Sequence, residues 1–290
     1  MLKDLFRYTR ERSPLWLVTL IGAVLYTAGV TQWNFSVGRY FVGLVTMIIY
    51  LTLLRLSDDI CDIPVDRRNH PERLLVSGAV NVAVLKKIRW IGIAMVFVIH
   101  LFYPGVMVYP KVMALFAVVL LFYGIYFAIK SSLSLHLQLA MLNLYLFVFP
   151  VYAGLFLNNH LGTYHLLMGL FFWLGGMAHD YSHAIVDTQT IPPDKAIPIN
   201  LVNQRRLAIV SLLFFLMGSA LGAYFYTDEQ VGIYFLAALL FNLIVMLILE
   251  ARLISNPSED SAKPFYVFGF LFFLLPAAAH IVQRMLVDFS

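Results

Sequence analysis

Long apolar stretches follow one another along almost the whole chain. They lie near 15–31, 38–57, 89–108, 111–129, 133–156, 164–182, 207–226, 231–251 and 265–285, separated by polar breaks. A bilayer core about 30 Å thick is crossed by roughly 20 helical residues, and most of the stretches have that length. They are continuously apolar rather than alternating, which predicts helices and argues against membrane β-strands. The least marked breaks, at 109–111 and 130–132, each demand a tight turn. The pattern therefore predicts an all-α integral membrane protein with about nine transmembrane helices. Residues 1–13 are polar and basic, and the run after them lacks a small-residue cleavage site, so it reads as a first span rather than a signal peptide. Leu2, Leu5 and Phe6 suit a segment lying flat on the inner leaflet.

Composition sharpens this picture. Of 290 residues, 61% are hydrophobic and 12% charged, against roughly 45–50% and about 25% in ordinary globular domains. Mean hydropathy is +0.82. The placement of charge says more than its total of +4. With the N-terminus in the cytoplasm, only Arg39, Lys111 and Arg284 of the 20 lysines and arginines fall outside. That is the positive-inside bias, and with an odd number of spans it puts the C-terminus outside. The single cysteine, Cys61, excludes an internal disulfide and a cysteine metal cluster. The basic loops follow the orientation rule and no recognition motif accompanies them, so nucleic-acid binding is not expected. One domain over 1–290 is predicted, with two long cytoplasmic connections at 58–88 and 180–206. Chemistry is expected beneath them.

The first connection opens on RLSDDICDIPVDRRNHPERLLVSG from Arg55. Asp59, Asp62 and Asp66 are spaced 0, +3 and +7. If the second span continues through them, they share one helical face, with Asp58 at its edge. Pro64 removes a backbone donor there. Stacked carboxylates repel unless something positive sits among them. Arg67, Arg68 and Arg73 supply positive charge, and a divalent cation does so better. Hard oxygen ligands favour magnesium, which usually binds through one or two carboxylates plus substrate phosphates. Arginines match phosphate oxygens in a bidentate fork. The plainer reading is a solvated loop with scattered ion pairs. Ionisable residues at the end of an apolar span weigh toward function.

The spacing recurs 121 residues later in HDYSHAIVDTQTIPPDKAIPIN, where Asp180, His183 and Asp187 stand at 0, +3 and +7. His183 is compatible with metal ligation, with proton transfer near its reference pKa of about 6.5, or with a simple hydrogen bond to a neighbouring aspartate. Asp194 follows Pro192 and Pro193 and is a candidate for closing the site or binding a cation. Lys130, one turn after Tyr126, reads either as an interface anchor or as a point charge for a phosphate. Asn143 and Asn242 line a cavity or join helices. Glu250 and Arg252 read as an interface pair or a loop anchor.

Two acidic faces of this kind suit magnesium ions that clamp a diphosphate, with an isoprenoid chain among apolar helices. Ser57–Asp66, SDDICDIPVD, resembles the NDxxDxxxD motif of the UbiA superfamily of intramembrane prenyltransferases. The following RRNHPERLLVSG is similar to the family's basic stretch. Arg73 and Gly78 keep their places, while Leu74 stands where the family has proline. Asp180 and Asp187 match the outer positions of the second family motif, from which His183 departs. Tyr126 and Lys130 resemble the family's YxxxK stretch. The resemblance implies about nine helices around a central cavity, capped by the two cytoplasmic loops. It implies Mg2+ held by Asp59, Asp62, Asp66, Asp180 and Asp187, and diphosphate contacts from Arg67, Arg68, Arg73 and Lys130. The implied activity is transfer of a prenyl group from a prenyl diphosphate to a lipophilic acceptor. His183, Asp58, Asp194, Tyr126 and Asn143 are further site candidates.

Two other functions compete. His70, Pro71 and Arg73 resemble a branch of the superfamily that transfers phosphoribose to a prenyl phosphate. A non-catalytic protein that binds prenyl lipid would keep the cavity and tolerate loss of the second cluster. A transporter fits less well, because few charges lie near mid-span and the acidic clusters sit at one surface. Acceptor, prenyl length and oligomeric state are not encoded in any motif.

Overall fold

The computed structural model describes residues 2–102, 109–189 and 201–288. Among these residues every regular element is helical. In chain order they are α1 (Leu2–Arg12), α2 (Leu15–Ala28), α3 (Val37–Asn69), α4 (Val82–Phe102), α5 (Tyr109–Ile129), a 3-10 turn (Lys130–Ser132), α6 (Leu135–Asn158), α7 (Thr163–Gln189), α8 (Leu201–Thr227), α9 (Ile233–Ser255), α10 (Glu259–Ala262) and α11 (Phe265–Asp288). Over the described residues, each apolar stretch of the sequence falls largely on one of these helices. Lipid offers no partner to a backbone N–H or C=O, so a spanning segment has to close its hydrogen bonds within itself, as a helix does.

Among the described residues, six segments are long and apolar enough to cross a membrane: Val37–Arg68, Pro110–Ser132, Leu135–Asn158, Asn203–Thr227, Ile233–Ser255 and Glu259–Val287. The protein is thus a multi-pass integral membrane protein. Helix α2 is apolar but has only 14 residues, about 21 Å at 1.5 Å per residue. Leu121, Ile248 and Val267 are among the large apolar side chains left exposed on the spans, as lipid-facing surfaces require.

The chain divides into two compact units. The first comprises Met1–Tyr26, Val30–Leu133 and Tyr152–His160. Its longest helix, α3, has 33 residues and measures about 50 Å, well beyond a hydrocarbon core of about 30 Å. Ser36 caps its start by accepting from Arg39 N at 3.2 Å. The helix runs on through Pro64, so the aspartates at 58, 59, 62 and 66 stand on helix rather than loop. The expected 58–88 connection is correspondingly shorter. Residues 58–69 belong to α3 and 82–88 to α4, leaving 70–81 between them. Gly78 turns this connection with φ +78° and nothing within 4 Å of an added Cβ. Backbone conformation, not space, therefore calls for glycine there. Helix α1 is anchored by Tyr8 in a cluster with Leu56, Leu75, Val80 and Leu85, while Leu2 and Phe6 stay exposed.

The second unit comprises Thr27–Gly29, Ser134–Val151 and Leu161–Ser290. Phe171 packs on Phe235 with ring centres 5.4 Å apart, and Phe215 meets Phe272 edge-on at 4.8 Å. These rings tie α7, α8, α9 and α11 together. Asn242 on α9 donates to the Leu271 carbonyl at 2.9 Å, so it joins helices. The expected 180–206 connection is helical over 180–189 and 201–206.

Candidate functional site

The 0/+3/+7 face of α3 carries its carboxylates as drawn from the sequence, but each meets a different cation. Asp58 and Asp62 share Lys130. Its ammonium donates to Asp58 Oδ1 at 2.6 Å and to Asp62 Oδ1 and Oδ2 at 2.7 and 2.9 Å. The 3-10 turn that follows α5 holds the lysine in place, with the residue largely buried. A snorkelling anchor would point its charge away from the helices; this one points at two acids. Tyr126, one turn earlier, is fully buried with its ring on Tyr123 and Phe127.

Asp59 is held by α1. Arg12 grips it with both prongs, Nη2 to Oδ1 at 2.9 Å and Nε to Oδ2 at 3.3 Å, and Tyr8 donates to Oδ2 at 2.7 Å. Arg55, one turn back on α3, lies 3.3 Å from Oδ1. With Asp59 only 3% exposed, these partners offset the cost of a buried carboxylate. Burial, and then the charge and hydrogen bond of Asp59, raise the tyrosine pKa of Tyr8, so its proton stays in place. For Arg12 burial works against the charge, but the hydrogen bond and charge of Asp59 outweigh it and the pKa rises. Asp66 pairs with Arg73. Arg67 and Arg68, predicted beside them, are exposed. His70 lies 3.4 Å from Glu72.

In the second unit, Asn143 on α6 donates to Asp180 Oδ2 at 2.7 Å. The two helices come close because α7 has Gly176 there, where a Cβ would run into the Asn143 amide. The His183 ring stands edge-on to Tyr266, 4.2 Å between centres. His179 meets the Phe265 carbonyl through Nδ1 at 3.0 Å and ties α7 to α11. The Asp187 side chain and Asp194 lie outside the described residues.

Sequence reasoning missed Tyr8, Arg12 and Arg55 as members of the first cluster. It also misjudged Glu250, which is fully buried and accepts from Ser211 at 2.6 Å rather than pairing with Arg252 at an interface. Among the described residues no three His, Cys, Asp or Glu side chains converge to hold a metal by themselves. Magnesium rarely asks for that, since one or two carboxylates plus phosphates suffice. Asp58 and Asp62 provide such a pair, because their oxygens already converge on one small cation, the Lys130 ammonium.

Among curated proteins none matches the sequence. Two solved structures share the fold. One, from work on a digeranylgeranylglyceryl phosphate synthase, has TM-score 0.66 and 15% identity over 97% of this chain and 98% of that one. The other, a UbiA homologue from Archaeoglobus fulgidus bound to DMAPP and Mg2+, has TM-score 0.61 and 16% identity over 94% and 98%. The model of the UbiA prenyltransferase family matches residues 15–275. Matched over nine-tenths of its length, this chain belongs to the UbiA prenyltransferase family.

Proposed function

We propose that this protein transfers a prenyl group from a prenyl diphosphate to a lipophilic acceptor at the cytoplasmic face of the cell membrane, with its N-terminus inside and C-terminus outside. Family membership supports the reaction class, and the pairing of Asp58 and Asp62 on Lys130 is the observation that carries the site. In the reaction the C1–O bond to the diphosphate breaks, the acceptor bonds to C1 and loses a proton, and diphosphate departs. Magnesium, when bound, stabilises the charge that grows on the leaving group. Asp58 and Asp62 would hold it. Lys130, whose ammonium they share, would offer its charge to a phosphate oxygen, and Arg67, Arg68 and Arg73 supply further donors. Asp59 and Asp66, each already gripped by arginine, keep the face of α3 charged and in register. The recurrence of the spacing in α7 supports giving Asp180, His183 and Asp187 to the same reaction, with Asn143 orienting Asp180. Exclusion of water by apolar helices would protect the allylic centre.

Purified protein should release diphosphate from allylic prenyl diphosphates in a magnesium-dependent way when offered a panel of lipophilic acceptors. Asp58→Asn together with Asp62→Asn is expected to lower kcat/KM by about a hundredfold or more, the scale at which lost charge stabilisation shows in mutants. Full turnover by that double variant would sink the metal-clamp reading.

A further inference from the structure

Helix α1 has two charged sides, and only one of them is used inside the protein. At about 100° per residue, Tyr8 and Arg12 share one side of the helix, and Lys3, Arg7 and Arg10 fall within about 60° of one another on the other. Burial agrees with this division. Tyr8 and Arg12 reach inward to Asp59, while Lys3, Arg7 and Arg10 stay exposed. Among the described residues no carboxylate pairs with Arg7 or Arg10. Leu2 and Phe6 stand exposed on the same outer side, and the exposed Leu15 and Trp16 follow at the start of α2. The family match begins at residue 15, so α1 lies outside it.

Arg7 and Arg10 also line an open cleft of about 560 Å³, together with Glu11, Leu74 and Ala79. Its volume is within the range of about 300–1,000 Å³ usual for small-molecule pockets. Leu74 and Ala79 belong to the 70–81 connection, which forms the far wall. Glu11 is the acid of this lining, and it is already engaged. Leu74 N donates to its two oxygens at 3.1 and 3.3 Å, which turns the carboxylate toward the backbone and ties α1 to the connection. Two arginines against one engaged carboxylate leave the cleft positive. Phosphate oxygens match guanidinium forks. A soluble phosphate would use the arginines alone. The exposed Leu2 and Phe6 on the same side of α1 call for hydrocarbon as well, and a phospholipid carries both.

We propose that the cleft between α1 and the 70–81 connection binds the headgroup phosphate of an acidic phospholipid of the inner leaflet, with Leu2 and Phe6 set at the level of its acyl chains. An amphipathic helix with basic residues beside an apolar stripe suits that boundary, and arginines near an anionic surface are attracted to it. The site is separate from the acids and cations assigned to prenyl transfer, and it does not depend on that reaction. Its occupant braces the helix whose opposite side grips Asp59.

Purified protein in maltoside detergent is titrated with dioleoyl phosphatidylglycerol and, separately, with dioleoyl phosphatidylcholine, which has the same chains and a headgroup neutral overall. The rise in Tm with lipid concentration gives an apparent affinity. Wild type should bind phosphatidylglycerol about tenfold or more tightly than phosphatidylcholine, and hydrogen exchange over residues 2–12 should slow as it binds. Arg7→Gln with Arg10→Gln, and Arg10→Glu alone, should each weaken phosphatidylglycerol binding about tenfold or more. Both should melt with wild type in detergent alone, which shows that they are folded. Lys86→Gln with Lys87→Gln removes two charges from exposed positions on α4 and should keep the wild-type affinity. Unchanged affinity in the folded arginine variants would overturn the site. An equal loss in the lysine variant would overturn it too, since diffuse attraction to inner-face charge gives that result. So would an equal rise in Tm from inorganic phosphate at the same concentration, which would reduce the cleft to an ion site. No prenyl donor enters these measurements, so failure of the prenyl-transfer reading leaves their outcome unaffected.

Discussion

Replacing Lys130 with methionine deletes one positive charge, keeps most of the side-chain volume, and leaves two carboxylates without their shared partner. Asp58 Oδ1 and Asp62 Oδ1 sit 2.6 and 2.7 Å from the ammonium. Those two oxygens are thus within about 5 Å of each other, a separation at which two unit charges repel by about 3 kcal/mol at an effective dielectric of about 20. Asp62 is 34% exposed, so water screens part of this, and the expected loss of stability is about 2 kcal/mol. In a chain of this size about 1 kcal/mol moves Tm by roughly 2–4 °C. Lys130→Met should therefore melt about 4–8 °C below wild type when both are followed by thermal unfolding in the same detergent. Asp58→Asn in the Lys130→Met background removes the repulsion and should recover more than half of the loss. A double-mutant cycle then gives a coupling of about 1 kcal/mol or more. If Lys130→Met melts with wild type, or if Asp58→Asn adds a further independent loss, Lys130 is not the shared counter-ion.

Two further outcomes are expected. Tyr8 holds its proton more tightly in the folded protein, through burial and then through Asp59. The unfolded chain releases its tyrosine proton above about pH 10, so the folded state then binds more protons and stability falls as pH rises from there toward the raised folded value. Melting curves at about pH 8 and 10.5 should show that slope flattened in Tyr8→Phe relative to wild type, and parallel slopes would contradict the buried Tyr8–Asp59 contact. Glu250→Ala empties a fully buried site and removes one of the partners of Ser211, which also meets the Ala178 carbonyl and Ser182, whereas Glu250→Gln keeps a carbonyl for it. The alanine variant should be less stable than the glutamine variant by about 2 kcal/mol, read as denaturation midpoints. Equal losses would mean that the Ser211 contact contributes nothing.

The periodicity of the acidic motif was legible because a helix converts spacing into direction. Once α3 was taken to run past the membrane core, residues 59, 62 and 66 had to share a face. The partners were not legible. Arg12 lies 47 residues from Asp59 and Lys130 lies 68 from Asp62, and local spacing says nothing about pairs so far apart. The positive-inside pattern counted Arg12 as one more inward charge, and nothing in its neighbourhood marked it as a gripping side chain. Tyr8 lies 51 residues from Asp59, and nothing around it marked it as a partner of that carboxylate. Glu250 sat beside Arg252 at the end of an apolar stretch, which suggested an interface pair. In the folded chain the glutamate points inward to Ser211 on α8, because sequence adjacency does not set which side of a helix faces a neighbour.

The sequence by itself determined that the chain crosses a membrane as helices and that the acids following the second apolar stretch recur at helical spacing. Those properties follow from apolar length and from 3.6 residues per turn, which act locally along the chain. Only the tertiary structure decided which cation meets which carboxylate, that α3 continues as helix through the acids, that α1 brings Tyr8 and Arg12 to Asp59, and that α3, α4 and α5 leave an aromatic groove lined by Ser57 and Arg89. Those properties depend on how distant helices pack. The contacts that settle that packing join residues tens of positions apart, whose proximity is a result of folding rather than of sequence order.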